Sequence, residues 1–127
     1  MKTYYIFLIK KEIYEIYRSN PKSLYKTLFN LKNMNKQDLN LGLSIYNEIC
    51  NIINKKKLIK YINLLPITKS KKNKYLINEN IMIINPSKII IKTNKINDDI
   101  IYTLNNYNEY FFICDFKNNK YYWLNEI

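Results

Sequence analysis

Catalysis needs a side chain that can take a proton, attack an electrophile or hold a metal, and this chain offers few. It contains no histidine, so the usual general base, metal ligand and nucleophile activator are missing. Glu12 and Glu15 stand three residues apart, where a helix would put them on one face. With Lys10 and Lys11 beside them, they read as a solvated surface set rather than a catalytic dyad. Asp115, at the end of an apolar run, reads as the side-chain cap of a turn. A single glycine, Gly42, excludes a phosphate-cradling loop. Cys50 and Cys114 lie far apart beside Ile49 and Ile113, with no CxxC spacing, so they are expected as buried free thiols in a reducing cytosol. These residues suggest no metal site and no cofactor, and an enzyme is not expected.

Lysine is the charged residue in excess. The net charge is +11, with 21 basic against 10 acidic residues. The densest clusters are Lys55, Lys56, Lys57 and Lys60, then Lys69, Lys71, Lys72 and Lys74. Clustered ammonium groups suit phosphate contacts and counterion release, which makes Lys55–Lys60 with Lys71 and Lys72 a candidate phosphate track. A compositional cause competes with it. Ile, Asn, Lys and Tyr make up well over half the chain, and all four have A/T-rich codons. One Arg and one Gly leave little for base-specific readout.

Recognition by surface remains. Tyr and Trp dominate binding hot spots, and thirteen Tyr is high for 127 residues, although codon bias inflates Tyr as well. Ile13, Tyr14, Ile16 and Tyr17 form a stripe too wide for a short helix to bury on one side. The stripe either faces a partner in part or wedges between a sheet and a neighbouring helix, and pattern alone leaves both open.

These residues need elements to position them. Thr3–Ile9 is β-branched and aromatic without polar alternation, as in a central strand covered on both faces. The period then changes to helical through Tyr17, and Ser19-Asn20-Pro21 ends that helix and caps the next, which runs to about Leu31. Asn35 and Asp38 resemble the start of a third, longer helix with Leu39, Leu43, Tyr46, Cys50 and Ile53 inward. Lys55–Leu65 either extends it or begins another, and Pro66 stops it. Lys69–Lys74 reads as a polar loop. Tyr75 onward is β again: Ile81–Ile84 and Ile89–Ile91 enclose the turn Asn85-Pro86-Ser87-Lys88. Asn97 caps a two-turn helix with Asp98 and Asp99 in its first turn. The last stretch is a hairpin turning at Lys117–Lys120, where Asn tolerates positive φ, and it carries the only Trp, Trp123.

The expectation is a single α+β domain over residues 1–127. Its antiparallel sheet carries helices mainly on one face, in the order β-α-α-α-β-β-α-β-β. No run approaches the roughly 18 apolar residues of a membrane span, and no targeting signal is visible, so a cytoplasmic monomer is expected.

The two ends of the chain resemble the sporulation inhibitor of replication (SirA) family of Bacillus-type bacteria. Tyr4-Tyr5, Leu8-Ile9-Lys10, Glu12 and Tyr17 match its strand-helix start. Asp115-Phe116, Lys120-Tyr121 and Trp123-Leu124-Asn125 match its terminal hairpin. The blocks cover about a quarter of the chain, and the middle is matched only by the order of elements. The resemblance implies a cytosolic α+β protein that binds domain I of the replication initiator DnaA and restrains initiation. The family's first helix carries an aromatic residue and a Tyr to the initiator, and Ile13 and Tyr17 stand at those positions, Ile replacing the aromatic. Tyr14 flanks them, and Tyr46 is the candidate for a Tyr that the family uses on its long helix.

Overall fold

Along β1 (Lys2–Leu8) and Ile9 just after it both faces are apolar: Ile6 and Leu8 point one way, Phe7 and Ile9 the other, and all four are buried. Such a strand is stable only with cover on both sides. The computed structural model, which describes residues 1–127, puts it near the middle of a seven-stranded sheet, between β5 and β6. The sheet order is β2-β3-β4-β5-β1-β6-β7, and every pairing is antiparallel. The strands are β2 (Ile67–Lys71), β3 (Lys74–Ile77), β4 (Asn80–Ile84), β5 (Ile89–Thr93), β6 (Phe111–Asp115) and β7 (Lys120–Trp123). The helices are α1 (Lys11–Tyr17), α2 (Pro21–Lys32), α3 (Leu39–Ile49), α4 (Lys55–Ile62) and α5 (Asp98–Tyr107). This is the α+β class expected from the sequence.

The layering differs from that expectation, because helices cover both faces. On the first face, α4 and α5 bury Leu58, Ile62, Ile100 and Leu104 against Ile6, Met82 and Ile91. On the second, α2 buries Leu24, Tyr25 and Leu28 against Phe7, Phe112 and Trp123, and α1 and α3 pack at the margin of that core. The cause is the double-sided apolarity of β1 and β6, each buried side chain of which contributes about 1.5–3 kcal/mol. Trp123, in the terminal hairpin, anchors this second core.

Three local readings also change. The third helix ends at Ile49: Cys50 bridges to Ile9, and the Asn51 N–H donates to the Leu8 carbonyl at 2.8 Å, so the chain leaves the helix to pair with the end of β1. Cys50 and Ile53 are buried from an extended segment and not from a helical stripe. A separate α4 follows, capped by Asn54, whose side chain accepts from the Lys57 N–H at 3.1 Å. Lys69–Lys74 is not a loop but the hairpin β2–β3, turning at Lys72 with φ 54°. Lys69 and Lys71 sit on β2, the edge strand of the sheet, where lysine discourages pairing with another chain.

Other cues stand. The Asn97 side chain accepts from the Asp99 N–H at 2.8 Å to start α5. Asp115 accepts from the Asn118 N–H and side chain, and Asn119 takes φ 53°, closing the last hairpin. No helix is long and apolar enough to cross a membrane.

Candidate docking surface

The sequence-predicted contact residues Ile13, Tyr14, Tyr17 and Tyr46 all border the second core. In α1, Ile13, Tyr14 and Tyr17 are half-buried against the second core, and Ile16 points out. Tyr14 is the most embedded in aromatic neighbours: its ring stands 4.9 Å from that of Tyr110 and 4.7 Å, edge-on, from that of Trp123. Its hydroxyl accepts from the Asn125 side chain at 3.2 Å. Tyr14 therefore fastens α1 to the C-terminal hairpin, leaving Ile13, Ile16 and Tyr17 as the apolar part of the helix with contact to offer.

Tyr46 reaches the opposite way. Its hydroxyl donates to the Ser87 carbonyl at 2.5 Å, tying α3 to the β4–β5 turn. Burial first, and then the nearby Cys50, push that hydroxyl above its ordinary range. Tyr46 and Tyr14 thus sit on opposite sides of β1, the first toward β5 and the second toward β6 and β7. Burial likewise raises the thiols: Cys50 to about 12, and Cys114 upward with Cys50 as a second cause. Both cysteines are free and share the second core.

The surface that sequence reasoning missed is the exposed apolar start of α3. Leu39, Leu41 and Leu43 are 62%, 58% and 60% exposed, and Ile16 on α1 is 64% exposed. No residue of α3 is buried. Spacing by four and three places Leu39 and Leu43 inward, and both line the groove beneath the helix yet stay exposed; Leu41 between them makes the first turns of the helix apolar all round, which is the available signal. Beneath these turns runs a groove of about 380 Å³ between α2, α3 and the sheet, lined by Leu28, Leu31, Met34, Leu43, Tyr46 and Phe116 among others. Gly42 faces it: a Cβ there would stand 2.8 Å from Met34 Sδ, so its absence lets Met34 lie against the helix. Lys32 caps the groove's floor, its ammonium 4.9 Å from the Tyr5 ring centre and 5.0 Å from that of Phe116.

The candidate phosphate lysines do not share a face. Lys56, Lys57 and Lys60 are exposed on α4, which covers the first face, whereas Lys71 pairs with Lys74 in the register that points to the second. The clusters meet only at the β2–β3 turn, where Lys55 Nζ donates to the Lys72 carbonyl and the Asn73 side chain.

Compared with known protein families and with curated proteins, the sequence matches neither a family model nor a curated relative.

Proposed function

We propose that the chain is a non-enzymatic regulator that works by docking another protein through α1 and α3, with domain I of the initiator DnaA as the partner and restraint of chromosome replication as the outcome. The observation that carries the docking reading is α3, a helix with no buried residue and three leucines more than half exposed. Apolar surface of this kind on a folded chain marks a contact site. The Lys10 N–H donates to the Ile49 carbonyl at 2.9 Å, joining the start of α1 to the end of α3, so the two helices act as one unit. DnaA as the partner rests on the resemblance of the chain's two ends to the SirA family. Occupying domain I would exclude the initiator's own contacts at the origin. An apolar centre supplies affinity, and a lysine-bearing rim speeds encounter.

The test is a binding titration of the source organism's DnaA domain I by the purified protein at low and moderate salt, with Leu41→Asp and Tyr17→Ala alongside. Leu41 is exposed, so its variant keeps the fold and is expected to lose binding. Binding that survives salt and disappears in Leu41→Asp supports the reading. Absence of binding by the folded wild type rejects domain I as partner. Salt-sensitive binding of arbitrary duplex DNA instead moves the function to the lysines.

A further inference from the structure

The second face of the sheet is only half covered. α2 packs over β1, β6 and β7, but the strands beyond β1 carry a different set of side chains. Two rungs run across them. In the first, Lys71, Lys74, Ile83 and Ile90 are register partners in turn, and in the second Lys69, Leu76, Ile81 and Lys92. The first rung continues from Ile90 to Tyr5, whose ring packs against the second core, which fixes the side to which both rungs point. Leu76, Ile81, Ile83 and Ile90 are only half-buried and belong to neither core. The strands' opposite side, with Tyr75, Ile77, Met82 and Ile91, is sealed in the first core.

We infer that this open half-face is a second docking surface, and that its occupant is an acidic amphipathic helix of a partner protein. The inference does not depend on the identity of the partner of α3. Four strands spaced about 4.8 Å give a floor about 14 Å across, wide enough to seat one helix about 10 Å in diameter. The neighbouring half of the same face already holds a helix in this way, with Leu24 and Leu28 of α2 against Phe7 and Phe112. Charge selects the occupant: Lys69, Lys71 and Lys74 frame one end of the aliphatic floor and Lys92 the other, and the two rungs contain no carboxylate. A groove of about 460 Å³ lies along the β2–β3 end, with Lys69, Lys71, Lys74, Leu76 and Ile81 among its walls. A leucine seam fits the floor, and flanking glutamates meet the ammonium groups.

Other occupants fit less well. Single-stranded nucleic acid binds by stacking bases on aromatic rings, and across β2–β5 the two rungs carry none. A second copy of this chain, paired through the same patch, would set lysine against lysine. A flat anionic membrane leaves the concave end unfilled.

The probe is a synthetic helix about five turns long with leucine at i, i+3, i+4 and i+7 and glutamate elsewhere. It is titrated into the 127-residue protein while backbone amide shifts are followed. A lysine-for-glutamate version, oligothymidylate and phosphatidylglycerol vesicles run in parallel. The expected result is saturable binding of the glutamate helix, with shifts concentrated at Leu76, Ile81, Ile83 and Ile90. Lys71→Glu/Lys74→Glu is expected to weaken it at least about tenfold. Lys56→Glu/Lys57→Glu, equal in charge change but on the other face, is expected to leave it unchanged. Lys69→Glu/Lys92→Glu replaces the first pair should that fail to fold. Equal weakening by both lysine pairs, shifts scattered over the surface, no binding, or preference for oligothymidylate or vesicles would overturn the proposal.

Discussion

Tyr14, Tyr17 and Tyr46 look alike in the sequence and differ in what they touch. Tyr14 lies within 4.9 Å of two aromatic ring centres and accepts a hydrogen bond from the last stretch of chain. Tyr14→Ala is therefore expected to cost about 2–3 kcal/mol of stability, whereas Tyr14→Phe, which keeps the ring, is expected to cost under about 1 kcal/mol. Denaturant unfolding followed by Trp123 fluorescence measures both, and equal costs would show that the ring packing is not what matters. Tyr17 has no such partner and packs only at the margin of the core. Its alanine variant is expected to weaken partner binding by about 1–3 kcal/mol without unfolding the chain. Loss of the fold instead would place Tyr17 in the core and remove it from the docking surface. Tyr46→Phe keeps the groove wall but frees the Ser87 carbonyl from its donor. The expected loss is about 1 kcal/mol of stability, with binding intact, which the same unfolding and titration measurements check.

Between elements the contrast is sharpest for α3. The strands β1, β5 and β6 lie at the centre of the sheet, buried on at least one side and bonded on both edges, while α3 buries no residue. Local opening of α3 therefore exposes little apolar surface, and its amides should exchange with solvent faster than those of β1 and β6. Hydrogen exchange followed by mass spectrometry reads this, and slowing confined to α3 and α1 on adding the partner would mark the docking site. Exchange at α3 as slow as at β1 would contradict the loose attachment. The same contrast explains what could be read from sequence. β1, the β4–β5 hairpin, the Asn97 cap of α5 and the Asn119 turn follow from local rules, because their determining residues are within a few positions of one another. The end of α3 was not legible, because it is decided by pairing between Cys50 and Ile9, far apart in the chain. Lys69–Lys74 looked like a loop because its residues are polar, yet the strand forms on the edge supplied by Lys74–Ile77. The open half-face has a signal in hindsight: Leu76 alternates with Tyr75 and Ile77, and Ile81 and Ile83 alternate with Met82 and Ile84, apolar on both sides with only one later sealed.

For the whole molecule, resistance to alkali depends on a set of weak acids that the fold keeps protonated. Cys50 is held at about 12 against an ordinary 9.0, and Cys114 is raised by the same burial. Tyr4, Tyr25, Tyr46 and Tyr75 are raised by burial above 10.0, and Tyr110 chiefly by its hydrogen bond with Glu109. In every case the folded state holds the proton more tightly than the unfolded chain. Below pH 9.0 both states are protonated at the thiols and the contribution is complete. Above it the unfolded chain sheds protons that the folded chain keeps, so stability falls as pH rises toward the folded value. Each thiol that titrates only in the unfolded chain removes about 1.4 kcal/mol per pH unit. The window between the ordinary thiol value of 9.0 and the ordinary tyrosine value of 10.0 separates the thiols from the buried tyrosines. Denaturant melts across that window are expected to show falling midpoints in the wild type and a shallower fall in Cys50→Val. Parallel slopes in the two proteins would mean that the Cys50 thiol is not the group whose burial resists alkali.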